Sequence, residues 1–312
     1  MSAPPQDKAG SMRDSSRMTS LLSEYFPYWM SLPSILFIAI VVGFPAMALV
    51  YLSVTTNIFA IGQSVEFVGL EHYISVITND NFWTFFLYTW VYAAGVIGIG
   101  IPLQIGITVV LNTDLPFQRV WQTLIILPWA VPFVISTLIW KLLFQPEFGL
   151  INYVLQEIGL INSPILWFSS QETAFFTVII TTVWINTPLG VLIMLSGIKN
   201  VPGNLYEAAR VDGASVIGRF RHVTLPLLKP AIVTALLIQS LFALRGFDVI
   251  FVMTRGGPGS STTVIAIDMF QQLIDFGNTG YAAAESVILI VMILTVLIVL
   301  NNWLKSDTFE EV

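Results

Sequence analysis

The segment that decides the fold is residues 201–214, which read VPGNLYEAARVDGA and lie between two long apolar runs. Asn204 stands three residues before Glu207, the spacing of a capping box, and this predicts the start of a short helix. Gly213 predicts a sharp turn after that helix, because glycine adopts positive φ without a steric penalty. The segment therefore predicts a helix and a turn between two apolar stretches.

Six apolar runs extend outward from this segment in both directions. They cover residues 28–55, 84–111, 120–143, 172–197, 231–252 and 283–304. Each is long enough to cross a lipid bilayer, and within hydrocarbon only a helix satisfies every backbone N–H and C=O of a single segment. A second short helix after Gly213 is predicted to end at Pro226 and Pro230, before the fifth run. The sequence predicts an all-α membrane protein with six transmembrane helices in contact with lipid.

The composition agrees with this class. The chain has 312 residues, of which 55% are hydrophobic and 10% charged, and its mean hydropathy is +0.80, whereas a soluble domain carries about 25% charged residues. Residues 1–27 are polar and lack the pattern of a cleaved signal peptide, which predicts a disordered cytosolic tail. Residues 28–304 then form the membrane domain, with a cytosolic loop at 198–230, and 305–312 form a short cytosolic tail.

The basic residues predict the orientation of the six spans. Ten lie on one side of the predicted membrane: Lys8, Arg13, Arg17, Arg119, Lys199, Arg210, Arg219, Arg221, Lys229 and Lys305. On the other side only Arg255 is clearly in a loop, while Lys141 lies near the end of the third span and is expected to reach the interface. Cytoplasmic loops carry the excess of Lys and Arg. Both termini are therefore predicted to be cytoplasmic, with loops 56–83, 144–171 and 253–282 facing outward.

Several functional classes are disfavoured by what the sequence lacks. It contains no cysteine, which excludes thiol catalysis and cysteine-ligated metals, and its formal charge of −6 argues against a nucleic-acid partner. No phosphate-binding loop of the GxxxxGK type occurs, and His72 and His222 fall on opposite sides of the membrane. The sequence therefore predicts a protein that is not an enzyme and holds no cofactor or metal of its own. Its energy is expected from a partner or an ion gradient.

The cytosolic loop resembles a known family. The Glu-Ala-Ala run at 207–209, then Gly213, then Leu-Pro ending thirteen residues beyond Gly213, resembles the EAA loop of permease subunits of binding-protein-dependent ABC importers. The resemblance implies the type I ABC importer permease fold, in which this loop is a coupling loop that docks in a cleft of a cytoplasmic ATPase subunit. The residues that it places at this contact are Glu207, Ala208, Ala209, Asp212 and Gly213.

Four further segments resemble the maltose-type (MalF-like) branch of that family. They are FVGLEHY at 67–73, LPWAVP at 127–132, the Phe-Asp at 247–248 with TRGGP at 254–258, and YAAA at 281–284. Together they span about residues 30–304 and imply import of a carbohydrate in the inner membrane. They also imply a second homologous permease, an ATPase dimer that holds ATP and Mg, and an extracytoplasmic sugar-binding protein. Glu285 departs from the pattern, because the family usually has an apolar residue there.

The candidate substrate cavity lies between spans four and five. Arg245 and Asp248 are three residues apart, which places them on one face of a continuous fifth span. They either pair with each other or hydrogen-bond to sugar hydroxyls, since an ionisable residue within the membrane is costly without such a role. The resemblance places cavity-lining positions at Thr182, Ile185, Asn186, Leu189, Phe242, Arg245 and Gly246, to which Asp248 is added.

Two alternatives remain open from the residues. An ion-coupled secondary transporter would favour inverted repeats with broken helices, and the sequence shows no convincing internal repeat. An importer of another solute is the second alternative. Arg245 suits an acidic or phosphorylated sugar or glycerol phosphate, whereas a polyamine would need carboxylates, of which the spans offer Asp248 and Glu285.

Overall fold

The computed structural model describes residues 26, 28, 30–56, 65–113 and 116–309. Within them the chain is almost entirely helical, and the extended pairing is an isolated bridge between Thr55 and Phe67. Most of the predicted N-terminal tail lies outside the described residues, so its disorder stays a prediction.

The helices follow the predicted order of spans and loops. The first six are α1 (Met30–Ser53), α2 (Glu71–Ile77), α3 (Asp80–Leu111), α4 (Gln118–Ala130), α5 (Phe133–Leu143) and α6 (Leu150–Glu157). The next six are α7 (Gln171–Ile198), α8 (Gly203–Val211), α9 (Val216–Arg245), α10 (Asp248–Met253), α11 (Ile265–Ile274) and α12 (Thr279–Phe309). Five are long and apolar enough to cross a membrane, namely α1, α3, α7, α9 and α12, and the bent pair α4–α5 makes a sixth span.

The third span, predicted as one helix over 120–143 with Pro128 and Pro132 inside it, is divided into two helices at Pro132. The chain bends by 97° between helices α4 and α5. Val131 adopts an extended conformation (φ −81°, ψ 133°) because the ring of Pro132 disfavours the helical conformation in the residue before it. Lys141 does not simply reach the membrane interface: its Nζ donates to the backbone carbonyl of Val252, 3.0 Å away, and so ties α5 to α10.

The fifth span begins much earlier than predicted. Helix α9 runs for 30 residues from Val216, so Pro226 and Pro230 do not end a separate short helix. A π turn at Phe220–Thr224 precedes Pro226 by two residues and shifts the hydrogen-bond register where the proline has no N–H to donate. The second half of the loop predicted at 198–230 is thus continuous with the span.

The same span ends earlier than predicted, at Arg245. Gly246 follows with φ −6° and ψ 64°, outside the helical region, and α10 starts at Asp248. The predicted continuous helix over 231–252 is wrong for this reason. At the other terminus the helix of the last span continues to Phe309, through part of the segment predicted as a tail.

The loop between α7 and α9 contains the predicted turn but not the predicted cap. Helix α8 begins at Gly203 with Pro202 as its N-cap and no side-chain cap, so Asn204 lies within its first turn. Gly213 has φ +78°, and Ala214 N donates to Ala209 O at 2.9 Å, as expected for a glycine-based helix end.

Helix α7 is the centre of the bundle. It packs against α3 and α9, which also pack against each other, and much of its surface is buried. Gln239 Nε2 of α9 donates to Gln104 Oε1 of α3, and both side chains are buried. Hydrogen bonds of this kind hold membrane helices together where hydrocarbon supplies no hydrophobic driving force.

Candidate functional site

A cavity of about 260 Å³ lies among α3, α4, α5, α7 and the junction of α9 with α10. Its lining includes seven of the eight residues predicted for the substrate cavity: Thr182, Ile185, Asn186, Phe242, Arg245, Gly246 and Asp248. The eighth, Leu189, lies one turn further along α7 and does not line it. The cavity also has five residues that the sequence reasoning did not assign to it: Tyr92, Trp129, Phe133, Phe247 and Val249.

Two helix breaks create this space. Trp129 and Phe133 flank the break at Pro132 in the third span, and both reach the cavity because the chain turns there. Gly246 forms the break in the fifth span, and the Tyr92 ring packs directly against it: a Cβ built on Gly246 would lie 2.3 Å from Tyr92 Cε1. The sequence held one signal for the missed lining residues: Pro132 and Gly246 are helix-breaking residues, and each is followed by a phenylalanine that lines the cavity.

Two hydroxyl groups form hydrogen bonds in the wall of the cavity where α3 and α7 meet. Tyr92 is 2% exposed, and its hydroxyl lies 2.9 Å from Thr182 Oγ1. Thr182 in turn donates its proton to Val178 O at 2.8 Å. The Tyr92 hydroxyl is therefore the donor in the pair, and both rotamers are held by hydrogen bonds.

Arg245 and Asp248 do not form the predicted pair on one helix face. The break at Gly246 separates them into different helices, and neither side chain has a hydrogen bond or salt bridge within the described part of the chain. Both side chains are exposed in this single chain and line the cavity. An unpaired cation and anion are thus both available to a ligand.

A second cavity of about 530 Å³ adjoins the first across the same break. Arg245, Phe247 and Asp248 line both cavities. The remaining walls of the larger cavity come from α1, α11 and α12 and are predominantly apolar. Because a polar solute needs several placed hydrogen-bonding groups, the smaller cavity is the better candidate for a ligand site.

The predicted coupling residues lie together on the helix–turn–helix formed by α8 and the start of α9. Glu207, Ala208, Asp212 and Gly213 are exposed, and Ala209 is half-buried. Tyr206 OH lies 3.2 Å from Thr224 Oγ1 and fastens α8 to α9. Ser215 Oγ accepts a hydrogen bond from Gly218 N and caps the start of α9.

An apolar surface surrounds that turn. Val211 is 88% exposed, Val216 73% and Ile217 77%. These three apolar side chains lie beside the exposed residues predicted for the contact with an ATPase subunit.

Comparison with known proteins identifies the family. Residues 97–306 match the profile of the binding-protein-dependent transport system inner membrane component. The chain is 35% identical to the trehalose/maltose transport system permease protein MalF of Thermococcus litoralis over 283 residues, which cover 91% of this chain and 94% of the relative. It is also 35% identical to the sulfoquinovosyl glycerol transport system permease protein SmoG of Agrobacterium fabrum, covering 82% and 83%.

Further matches agree with this result. An sn-glycerol-3-phosphate transport system permease protein, UgpA of Yersinia pestis, is 32% identical, covering 86% of this chain and 90% of the relative. A chain from the crystal structure of a bacterial ABC transporter that imports the acidic polysaccharide alginate superposes with a TM-score of 0.79 at 22% identity, covering 94% and 99%, and shows the same fold. These proteins are transport permeases rather than enzymes. The chain therefore belongs to the family of inner membrane components of binding-protein-dependent transport systems and is a permease subunit of an ABC importer with the type I fold.

Proposed function

We propose that this permease imports a carbohydrate, such as a disaccharide, an oligosaccharide or a glycoside, and that the 260 Å³ cavity is where the sugar passes. The observation that carries the proposal is the combination of aromatic and unpaired polar side chains around one small cavity at two helix breaks. The printed names of the relatives, a trehalose/maltose system and a sulfoquinovosyl glycerol system, support the same class of substrate.

The chemistry of the lining suits a sugar. The aromatic side chains Trp129, Phe133 and Phe242 offer flat apolar surfaces for the C–H faces of a pyranose ring. Arg245 donates hydrogen bonds to hydroxyl oxygens, Asp248 accepts them from hydroxyl protons, and the amide of Asn186 does both.

An acidic or phosphorylated solute is the second candidate. Arg245 is favourable for an anion, and a relative is a glycerol-3-phosphate permease. Asp248 on the same cavity opposes a high negative charge, which favours the neutral sugar. A polyamine is disfavoured because Asp248 is the single carboxylate among the described lining residues of this cavity.

The helix–turn–helix around Gly213 is the proposed contact with an ATPase subunit. Glu207, Ala208 and Asp212 are exposed beside the apolar side chains of Val211 and Ile217, which gives a surface that combines polar and apolar groups. ATP and Mg belong to that partner, and both chain termini lie on the same cytoplasmic side. A second homologous permease and an external sugar-binding protein complete the assembly.

Uptake by the reconstituted complex tests the substrate class. Vesicles holding the complete transporter are offered the cognate binding protein with a labelled neutral disaccharide, an acidic sugar or glycerol phosphate. We expect uptake of the neutral sugar. Arg245→Gln and Asp248→Asn should each lower it about tenfold or more, because a hydrogen bond to a charged group contributes about 1.5–3 kcal/mol.

The control is Arg119→Gln, which changes an exposed arginine at the start of α4, outside both the cavity and the proposed ATPase contact. Loss of uptake in Arg245→Gln alone, with preference for the anionic solute, would identify the second candidate. Unchanged uptake in both cavity variants at normal complex yield would refute the cavity assignment.

A further inference from the structure

A second buried feature lies outside the proposed sugar cavity. Glu285 of α12 is 0% exposed, and neither of its carboxyl oxygens receives a hydrogen bond from an N–H or O–H donor of the described chain. The group that it faces is the carboxyl of Asp268 in α11, which is 6% exposed, and the two carboxyls lie within hydrogen-bonding reach of each other. Two acidic groups thus meet in a site closed to water.

No cation neutralises this pair within the described residues. The pair has two polar neighbours, Gln272 and Tyr281. Gln272 Nε2 donates to Asp268 Oδ1 at 3.5 Å. Tyr281 interacts electrostatically with both carboxyls, and its hydroxyl accepts a hydrogen bond from Asn79 Nδ2 at 3.1 Å. Among the described residues, the charged group that acts on Glu285 is the carboxyl of Asp268.

The helices packed around the pair bring other titratable groups nearby, but these have different partners. On α2, His72 packs against Gly280 with its Nε2 3.0 Å from Thr55 O, and the Tyr73 hydroxyl lies 2.7 Å from Ser53 Oγ. On α3, the Tyr92 hydroxyl is bonded to Thr182. At the α9–α10 break the charged groups are those of Arg245 and Asp248, which line the two cavities.

Two ionised carboxylates cannot remain in contact in such a site. Each is costly to bury alone, and like charges at this range oppose each other's ionisation. One proton removes both problems, because it makes one carboxyl a donor and the other an acceptor in a short, charge-assisted hydrogen bond.

We propose that Asp268 and Glu285 bind one shared proton and that this proton-bound pair fastens α11 to the last span. The proton comes from water and returns to it, and no other ligand is required. Burial raises the pKa of Asp268 above its ordinary value, which agrees with a protonated pair.

Helix α11, which the proton-bound pair would join to α12, forms one wall of the 530 Å³ cavity. Ala266, Met269 and Phe270 of α11 line it. Phe270 packs against Phe247 and Phe251, with ring centroids 5.3 and 4.9 Å apart, and Phe247 belongs to the break that carries Arg245. Loss of the proton would therefore loosen the wall beside the break in the fifth span.

The sign of the pH dependence follows from proton binding. The folded pair holds a proton that the same carboxyls in an unfolded chain release at lower pH. Its stabilising effect is present at acidic and neutral pH and is lost as pH rises through the titration of the folded pair.

Infrared spectroscopy and thermal unfolding of the assembled complex test the proposal. Wild type should show the carbonyl band of a buried protonated carboxyl, which should be lost in Glu285→Gln and should change frequency in Asp268→Asn, where Glu285 stays buried beside an amide. The melting temperature of wild type should fall by several degrees from about pH 6 to about pH 9, whereas Glu285→Gln, whose amide carries its own N–H donor, should show a much flatter profile.

Asp275→Asn is the matched control, since it changes an exposed carboxyl at the end of the same helix and should behave like wild type. Absence of the protonated band in wild type would overturn the proposal, and that measurement does not depend on any variant folding. A steep pH profile retained in Glu285→Gln would also overturn it. So would a wild-type melting temperature that rises with sodium or potassium at fixed pH, because the pair would then hold a metal cation rather than a proton.

Discussion

The hydroxyl of Tyr92 donates to the hydroxyl of Thr182 across 2.9 Å and joins the second span to the fourth at the wall of the small cavity. Removal of the donor in Tyr92→Phe should cost about 0.5–1.5 kcal/mol of stability and lower sugar uptake. Thr182 keeps its bond to Val178 O, so the complex should still assemble.

The control for this change is Tyr88→Phe on the same helix, whose hydroxyl has no hydrogen bond within the described structure. A double-mutant cycle with Thr182→Val, read by thermal unfolding and uptake, should show coupling between Tyr92 and Thr182. Strict additivity would contradict a functional link between them.

Gly246 should tolerate no side chain. In Gly246→Ala the new Cβ would meet the Tyr92 ring at 2.3 Å, and the overpacking should cost about 1–3 kcal/mol and displace the ring. Uptake and thermal stability should both fall. Gly98→Ala in α3 is the control, because no atom lies within 4 Å of its new Cβ, and equal behaviour of the two variants would contradict the packing argument.

At Gly213 the backbone conformation, rather than the space available, should restrict which residues can replace the glycine. A Cβ there meets nothing within 4 Å, but φ is +78°. Gly213→Val should therefore introduce about 1–2 kcal/mol of strain and reduce the amount of ATPase that co-purifies, without removing the permease from the membrane. Gly203→Val, at the helix start and equally open, should have a smaller effect; equal co-purification by both variants and wild type would count against the proposed contact.

The orientation is testable with single cysteines, since the chain has no native one. A cysteine at Ser260, which is exposed, should react with an impermeant thiol reagent added outside intact cells. A cysteine at Arg221, also exposed, should react only after the membrane is opened. The reverse pattern would place both termini outside.

The sequence predicted the spans and most of the cavity because both depend on local signals. Runs of apolar residues alone locate helices in a bilayer, and six of the seven positions that the family resemblance placed in the cavity line it, as does Asp248. The errors in the predicted helix boundaries occurred at proline and glycine residues. Pro132 and Gly246 interrupt spans that hydropathy shows as continuous, whereas Pro226 and Pro230 are absorbed into a helix that they were expected to end.

Contacts between residues on different helices could not be predicted from hydropathy and residue spacing. The separation of Arg245 from Asp248 depends on a single residue leaving the helical region, which a spacing rule does not detect. Similarly, Glu285 was recognised as unusual from the sequence, but its partner Asp268 lies seventeen residues earlier, on a helix that does not span the membrane.

The uninterrupted length of α9 has a mechanical consequence. At 1.5 Å per residue its 30 residues form a lever about 45 Å long, with the Gly213 turn at one end and Gly246 at the other. A tilt of about 5° that pivots at the Gly213 end would move the Gly246 end by about 4 Å, more than the length of a hydrogen bond. Arg245 is the last residue of α9, so a tilt of the helix about its Gly213 end would change the position of Arg245 in the cavity.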